Sequence, residues 1–236
     1  GTSNRAAING SLTFLPRAVE IVFRQSGLHL LDKEWTIAAD NSVRISDYGR
    51  SYDIKNLTLS NGPQVIDAQG FISTDAAKPP LKLTVRNFQL ATLSSLTGGQ
   101  RLGGRLNAES TVSDVYGPLA LSTALTVDTL TYQGTLIGQA KGTGAWDNRL
   151  GRLGVALDVS RAGQSVLTVG GYLAPGSADQ QLNLTGTLND APVVLAQPFL
   201  GTLMRDLGGT GRGELQLTGR FTAPNLLGQV DVSNGR

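Results

Sequence analysis

The side chains that most often carry enzyme chemistry are scarce in this chain of 236 residues. It has one histidine, His29, and no cysteine, so the sequence offers no disulfides, thiolate metal sites or cysteine nucleophiles. A Ser-His-Asp triad would have to use His29, yet no G-x-S-x-G motif accompanies it. His29 lies between Leu28 and Leu30, where the polar face of a strand is expected. We therefore interpret it as a surface residue.

The carboxylates and the glycine-rich segments also form no motif of a catalytic, metal-binding or phosphate-binding site. Asp53, Asp67, Asp158 and Asp190 lie far apart in the sequence, and no acidic residues cluster at the spacing of metal ligands. The segment 208–213, GGTGRG, lacks the Lys-Ser/Thr that ends a phosphate-binding loop, and it should precede a strand instead of a helix. The sequence therefore predicts no enzyme activity, no metal site and no cofactor.

Composition narrows the class of partner. Charged residues make up 16% of the chain, against about 25% in typical globular domains. The net charge is +2, and no run of Lys or Arg is present of the kind that follows a phosphate backbone. We expect no nucleic-acid partner. The 30 glycines and many uncharged polar residues fit exposed β-sheet of the kind found in cell-envelope proteins.

The dominant pattern is the alternation of apolar and polar residues in short runs, such as 81–85, 155–159 and 215–218. Successive side chains of a strand point to opposite faces, so each run has one apolar and one polar face. Turns that contain Pro or Gly divide the chain into about sixteen to twenty strands. The pattern predicts an all-β fold, with antiparallel or mixed sheet that has one face in water.

The chain also repeats itself at a spacing of about 101 residues. The corresponding pairs include Gly70 with Gly171, Leu81 with Leu182, and Leu83 with Leu184. We expect these leucines to occupy equivalent places in successive units. Long repeats of this kind are typical of proteins that present a continuous surface instead of one central site.

The repeat suggests a division into three regions. These are a lead-in 1–27 that begins with a cloning remnant, a first repeat unit 28–127 and a second repeat unit 128–236. We expect them to form one continuous elongated domain, cut from a longer protein. Two segments, 89–96 and 193–207, have leucines at helical spacing and are followed by Gly-Gly. They predict short helices that cover an end or edge of each unit.

Two recurring motifs resemble those of a known family. One is an apolar strand, a Gly, a turn with Pro, and then L-x-G-x-V-x-V-x-N, as in 226–234. The other is I-x-N-L-x-L followed by Q-x-I-x-A-x-G, as in 54–59 and 64–70. Together they resemble the TamB family, the translocation and assembly module subunits with a DUF490 region, within the AsmA-like proteins. The resemblance covers nearly the whole chain.

The resemblance implies an elongated, curled open β-sheet, a β-taco, whose apolar groove conducts phospholipids between the inner and outer membranes. It implies a periplasmic location, in a full-length protein anchored in the inner membrane, and an Omp85-family partner in the outer membrane. The partners in the groove itself would be phospholipid acyl chains. We expect its lining to be Leu57, Leu59, Leu81, Leu83, Val85, Leu119, Leu121, Val155, Leu157, Val159, Leu182, Leu184, Leu215, Leu217, Val230 and Val232.

Two alternatives stay open at this point. The same residues would form a closed core if the apolar faces met in a β-sandwich or a filled solenoid, although aromatic residues at 6% are few for such a core. The protein would instead be an assembly scaffold for outer-membrane β-barrels if its sheet edges paired with their strands. Five arginines are candidates for phosphate contacts near a rim: Arg86, Arg101, Arg105, Arg149 and Arg152.

Overall fold

The computed structural model describes residues 5–30, 32–75, 77–93, 101–196 and 208–235. It confirms the all-β fold, because strand accounts for 72% of the chain and no helix in these ranges reaches seven residues. The sheet is antiparallel and open, and it does not close into a barrel. Two compact units are present, Gly1–Gly99 with Leu106–Thr123 and Gln100–Arg105 with Ala124–Arg236. The repeat boundary between 127 and 128 stays a prediction.

The sheet of unit 1 forks at its longest strand. The strands are β1 (Arg5–Ala7), β2 (Gly10–Leu15), β3 (Ala18–Phe23), β4 (Ser26–Leu30), β5 (Lys33–Ile37), β6 (Ser42–Ser46), β7 (Ser51–Asn61), β8 (Gln64–Ile72) and β9 (Leu81–Gln89). A 3-10 helix, Asp47–Gly49, joins β6 to β7. β7, β8 and β9 form an antiparallel meander. On its other side, β7 pairs first with β6, which continues to β3 and β2, and then with β5, which continues to β4 and β1.

Two buried polar side chains stabilise the fork. Ser26 is 3% exposed, and its hydroxyl accepts the backbone N–H of Asn9 at 2.9 Å. Asn41 is 2% exposed; it donates to the carbonyl of Ala38 and accepts the N–H of Phe23 at 3.4 Å. A buried backbone group without a partner is costly. These side chains therefore supply the hydrogen bonds that the diverging strands do not.

Unit 2 is a continuous antiparallel meander. Its strands are β12 (Thr135–Asp147), β13 (Arg152–Arg161), β14 (Gln164–Leu173), β15 (Leu182–Pro192), β16 (Thr210–Arg220) and β17 (Ala223–Ser233). Each pairs with the next one along the chain. β10 (Leu102–Ser113) and β11 (Ala120–Tyr132) carry residues of both units. The turn between β13 and β14 is Ala162-Gly163, with φ of 51° and 81°, as a tight two-residue hairpin requires.

The sequence repeat appears in the backbone at two glycines. Gly70 in β8 and Gly171 in β14 have φ of 118° and 142°, values that residues with a side chain rarely adopt. A Cβ atom at either place would overlap a neighbouring carbonyl oxygen, that of Pro80 for Gly70 and that of Asn183 for Gly171. Both units therefore require glycine at places 101 residues apart.

The prediction that the repeated leucines occupy equivalent places is wrong, because the leucines lie opposite non-equivalent residues of the neighbouring strand. Leu83 lies opposite Ala68. Its counterpart Leu184 lies opposite Gly171, which corresponds to Gly70 and not to Ala68. The second hairpin has thus slipped by two residues relative to the first. Side chains alternate with a period of two, so the leucines still point to the same face.

The two breaks in alternation are 3-10 helices in the part that the structure describes. Leu90–Leu93 follows β9, and Val193–Ala196 follows β15. Leu90 and Thr92 are 9% and 6% exposed, so two side chains of the first helix are buried. That the helices cover an end or edge of each unit stays a prediction. The remainders of the predicted helices, 94–96 and 197–207, lie outside the described residues.

Candidate functional site

One face of the unit 2 sheet is apolar from β12 to β17. Residues directly opposite each other across an antiparallel pair lie on the same face, so the register defines the members of that face. Four rows cross the six strands, and every position in them is an apolar residue or glycine. The rows are Trp146, Leu153, Leu173, Leu182, Gly219 and Pro224; Gly144, Val155, Gly171, Leu184, Leu217 and Leu226; Gly142, Leu157, Val169, Gly186, Leu215 and Gly228; and Ala140, Val159, Leu167, Leu188, Gly213 and Val230. We call this surface the unit 2 apolar face.

The opposite face of the same strands is polar. A row on that face consists of Lys141, Asp158, Thr168, Thr187, Glu214 and Gln229. Nearby, the guanidinium of Arg152 stacks 4.3 Å above the ring of Tyr172, and the Tyr172 hydroxyl accepts a 3.2 Å hydrogen bond from Asn183. The alternation along the sequence thus becomes a separation between two faces of one sheet.

The unit 2 apolar face is most deeply buried in its fourth row, and most other large side chains on it are partly exposed, except Leu182 at 7%. Val159 and Ala140 in the fourth row are 1% and 2% exposed, and Ala191 at the end of β15 is 4% exposed. The 3-10 helix Val193–Ala196 contacts β12, which is three strands away from β15, or about 14 Å in a flat sheet. The sheet of unit 2 is therefore curled at this end.

Farther along the strands the unit 2 apolar face is not covered. Leu184, Leu215 and Leu217 are partly exposed, and Leu226 on β17 is 57% exposed. A closed sandwich core would bury such residues completely. Within the described residues, unit 2 therefore presents an open apolar surface with one closed end.

Glycines contribute to the curl by removing bulk from the apolar side. At Gly186 a Cβ atom would lie 3.4 Å from Cδ1 of Leu167, and at Gly142 it would lie 3.0 Å from Cδ1 of Leu157. The leucine side chains thus extend into space that a side chain on the neighbouring strand would fill. The three rows of the polar face between them carry only two glycines, Gly154 and Gly170. Glycine is therefore more frequent on the apolar side, and the sheet bends towards that side.

Unit 1 has an apolar face of the same kind. Its register places together Leu59, Ile66 and Val85; Leu57, Ala68 and Leu83; and Leu12, Ile21, Val43, Ile54 and Gly70. Behind it, Thr58 donates a 2.7 Å hydrogen bond to Asp67, which also accepts one from Arg86. We call this surface the unit 1 apolar face.

The unit 1 apolar face also has a closed end. Trp35 in β5 stacks against Phe88 in β9 with ring centroids 6.1 Å apart, although two strands, β7 and β8, separate β5 from β9 in the sheet. Trp35, Ile37 and Phe88 are 1%, 6% and 7% exposed. Contact between rings on such distant strands requires strong curvature, so this sheet also curls around its apolar face.

Fourteen of the sixteen predicted lining residues lie on the strands of these two faces. Those in unit 1 are Leu57, Leu59, Leu81, Leu83 and Val85; those in unit 2 are Val155, Leu157, Val159, Leu182, Leu184, Leu215, Leu217, Val230 and Val232. Leu121 lies in β11 and Leu119 precedes that strand, and both are partly exposed. Their role in lipid binding stays a prediction.

Sequence reasoning missed several members of the two faces. Ile66 and Leu167 share the 101-residue spacing, and Leu226 opens the L-x-G-x-V-x-V-x-N motif. Both signals were sufficient to include them. Leu188 gave no such signal, because the strand that contains it was recognised only as far as Thr185.

The five arginines do not form one group. Arg86 and Arg152 lie on the polar faces, where they contact Asp67 and Tyr172. Arg105 lies 3.9 Å from Asp128. The remaining two, Arg101 and Arg149, are exposed.

The titratable groups form local pairs. Nδ1 of His29 lies 2.6 Å from Oε1 of Glu34. Arg212 donates a 2.5 Å hydrogen bond to Asp190. That hydrogen bond and the positive charge of Arg212 lower the pKa of Asp190. Among the described residues, no three His, Cys, Asp or Glu side chains are grouped so as to hold a metal ion.

A small polar cavity is present in unit 1. Its volume is about 100 Å³, and it is lined by Phe71, Ser73, Asp75, Lys78, Pro80, Ser113 and Asp114. Asp75 accepts the N–H of Ala77 at 3.0 Å, and Lys78 lies 5.2 Å above the ring of Phe71. Small-molecule sites usually measure about 300–1,000 Å³, so this cavity is a loop feature and not a substrate pocket.

Within the described ranges, no helix combines the length and apolar character needed to cross a bilayer. Comparison of the chain with protein-family models, with curated proteins and with solved structures finds no match. Among the described residues, the two curled apolar faces are the candidate functional surfaces.

Proposed function

We propose that this protein is a segment of a periplasm-spanning envelope protein that conducts phospholipids between the inner and outer membranes. The acyl chains lie on the apolar faces, and the headgroups stay in water. The observation that carries the proposal is the set of four rows on unit 2, which contain only apolar residues and glycine and stay partly exposed. Monomeric proteins rarely leave a large apolar surface exposed unless it binds something.

The chemistry of the lining fits acyl chains better than ligands with many polar groups. Removing a CH₂ group from water contributes about 0.8 kcal/mol, so a tail gains free energy from every part of the surface that it covers. The rows carry no polar side chain that would select one headgroup. A surface of this kind accepts lipids with different headgroups.

The resemblance to the TamB family supports the wider setting of this proposal. It suggests an anchor in the inner membrane and an Omp85-family partner in the outer membrane. On this proposal the described segment holds lipid passively between the two ends of the full-length protein.

The test is the lipid content of the purified protein and of two matched variants. Leu184 lies on the unit 2 apolar face, and Thr185 lies next to it on the polar face, opposite Gly170 and Gln216. Leu184→Arg should lower bound phospholipid about tenfold, because it removes the equivalent of about two CH₂ contacts. Thr185→Arg should leave it unchanged. Mass spectrometry that finds no phospholipid in the native protein, or equal amounts in both variants, contradicts the proposal.

A second candidate function is an assembly scaffold for outer-membrane β-barrel proteins, with an Omp85-family partner. Its support is β2, whose residues Leu12 and Phe14 are 54% and 77% exposed and which carries no charge. Exposed strand edges of this kind accept extended chains by backbone pairing. Barrel assembly that survives Leu184→Arg but fails when proline is introduced into β2 would favour the scaffold.

A further inference from the structure

One end of the unit 1 sheet carries exposed large side chains on its turns. The turn between β6 and β7 contains Tyr48, which is fully exposed. The turn between β10 and β11 contains Val115 and Tyr116, which are 42% and 46% exposed. The two turns lie side by side, because the Tyr116 hydroxyl donates a 3.4 Å hydrogen bond to the carbonyl of Gly49. β6 pairs with β3 on one side and with β7 on the other, so Tyr48 is not at an edge of the sheet.

The backbone that carries Tyr48 is strained. Asp47, Tyr48 and Gly49 follow one another with φ of 51°, 55° and 85°, and residues with a side chain adopt this left-handed region rarely and at a cost in free energy. Because Tyr48 is fully exposed, packing within the chain does not offset that cost. Backbone strain of this kind is concentrated at sites of binding and switching, which makes the turn a candidate contact with another molecule.

The unit 1 apolar face reaches the surface at this same end of the sheet. Its outermost row crosses β3, β6, β7 and β8 and consists of Val19, Ile45, Tyr52 and Ile72. Each lies two positions along its strand from a member of the unit 1 apolar face, so it shares that face. All four are partly exposed. β6 ends at Ser46 and β7 begins at Ser51, so the row lies next to the turn that holds Tyr48.

The charges on the turns at this end are of both signs. The basic residues are Arg17, Arg50 and Lys78, and the acidic residues are Asp47, Asp75 and Asp114. Asp75 and Asp114 accept hydrogen bonds from neighbouring residues. Arg17 and Arg50 are exposed, and in the ranges that the structure describes no carboxylate lies within 4 Å of either. Their guanidinium groups are therefore free to contact phosphate.

We propose that these turns dock on the surface of a phospholipid bilayer. The docking surface, which we call the tyrosine rim, consists of Arg17, Tyr48, Arg50, Val115 and Tyr116. A tyrosine has an apolar ring and a polar hydroxyl, so it is stable at the level of the lipid headgroups, and the two arginines contact the headgroup phosphates. The docking does not depend on the proposed lipid function. The further step, in which a lipid passes from the bilayer to the outermost row of the unit 1 apolar face, rests on it.

A bilayer fits the tyrosine rim better than a folded protein does. Tyr48 lies on a turn and is fully exposed, so it forms a projection and not a pocket. A protein partner would need a cavity shaped for that tyrosine, whereas a fluid headgroup layer accepts projections of different shapes. Tryptophan and tyrosine are both enriched where proteins meet the headgroups. The two kinds of partner therefore predict opposite results for Tyr48→Trp.

Flotation with vesicles made of equal parts phosphatidylcholine and phosphatidylglycerol tests the docking. Tyr48→Asn should lower the partition coefficient about fivefold to tenfold, because it removes the aromatic ring. Asparagine tolerates the left-handed region and adds no charge, so the fold is kept. Leu136→Asn on β12 is the matched control, since Leu136 is 43% exposed, and it should leave the coefficient unchanged. Arg50→Gln should lower it about fivefold on these vesicles.

Fluorescence gives a second readout that locates residue 48 in the bilayer. Tyr48→Trp should keep the partition coefficient of the native protein. Its emission should shift to the blue when vesicles are added and should be quenched by lipids with brominated acyl chains. The native protein, with Trp35 and Trp146, supplies the background. Leu136→Trp should show neither the shift nor the quenching.

Four results would overturn the docking. They are no partition of the native protein into vesicles, an unchanged coefficient in Tyr48→Asn, a coefficient lowered by Tyr48→Trp as much as by Tyr48→Asn, or an unshifted emission in Tyr48→Trp. The third result points to a shaped pocket in a protein partner. Lipid content is measured separately, and Leu184→Arg should lower it without changing vesicle partition. Vesicle binding by a protein that carries no lipid keeps the docking and contradicts lipid conduction, and the reverse result contradicts the docking alone.

Discussion

Gly171 lies directly opposite Leu184 in the register of β14 and β15, and the space between the two strands leaves no room for a side chain at residue 171. A Cβ atom at Gly171 would lie 2.9 Å from Cα of Leu184 and would overlap the carbonyl oxygen of Asn183. The strands approach so closely because residue 171 has no side chain. The close approach lies in the second row of the unit 2 apolar face, where it sets how tightly the sheet can bend.

Replacement of Gly171 by alanine should therefore destabilise the fold by about 1–3 kcal/mol, from the strained φ of 142° and the overlap. Gly170 is the control, since its φ is not in the left-handed region and no atom lies within 4 Å of a Cβ placed there. Gly170→Ala should leave the free energy of unfolding, measured by urea denaturation, within about 0.5 kcal/mol of the native value. Equal effects at both glycines would refute this account of the curvature.

Trp35→Ala should be among the most damaging single changes in unit 1. It removes a ring that is 1% exposed and stacked on Phe88, and such truncations cost about 3–5 kcal/mol. Trp35→Phe should cost much less, because it keeps an aromatic ring and because the indole Nε1 makes no hydrogen bond within the described residues. Denaturant unfolding followed by circular dichroism measures both. A similar loss in the two variants would assign a role to the indole nitrogen instead of the ring stack.

Ser26→Ala should loosen the fork in the unit 1 sheet. The variant leaves the backbone N–H of Asn9 without its 2.9 Å acceptor. Asn9 is exposed, so water can replace that acceptor, and the expected loss is the net value of one hydrogen bond, about 0.5–1.5 kcal/mol. Hydrogen exchange at the Asn9 amide should accelerate in step with that loss. Ser42→Ala on β6, where the serine is only partly buried, is the control. Unchanged exchange at Asn9 in Ser26→Ala would show that the fork does not rely on this hydroxyl.

The ion pair of Asp190 and Arg212 should be visible in a titration. Arg212 lowers the pKa of Asp190 below its ordinary 3.8, first by its hydrogen bond and then by its charge. Because the folded pKa is the lower one, the stabilisation is present above pH about 4 and is lost as the pH falls through the folded pKa. NMR titration should give a midpoint below 3.8 in the native protein and near 3.8 in Arg212→Gln. Arg220→Gln, which removes a charge 3.6 Å from Asp179, should leave the Asp190 midpoint where it is.

Membership of the two faces could be predicted from the sequence because it depends only on strand parity. Leu157 and Val159 alternate with Asp158. Residues two apart in a strand point to the same side of the sheet, so Leu157 and Val159 share one face in any antiparallel register. Residues outside the recognised runs, such as Leu188, were missed because their strand continues past the pattern that identified it.

The fork and the closed ends could not be predicted in the same way. The change of partner along β7 depends on hydrogen bonds that Ser26 and Asn41 make with residues distant in sequence. The stacking of Trp35 on Phe88 depends on curvature accumulated over several strands. The two-residue slip between the repeated hairpins arises where Leu184 meets Gly171, and a slip of two leaves no trace in the alternation.

Apart from the indole of Trp146 in the first row, the four rows of the unit 2 apolar face carry no hydrogen-bonding side chain, and this has a kinetic consequence. A polar contact fixes a ligand at one place, because moving it breaks a directional bond. Dispersion contacts are individually only about 0.1–0.2 kcal/mol and have no direction, so a hydrocarbon that slides along Leu215, Leu217 and their neighbours exchanges one set of contacts for an almost equal one. Such a surface holds a chain by its total length while leaving it nearly free to translate.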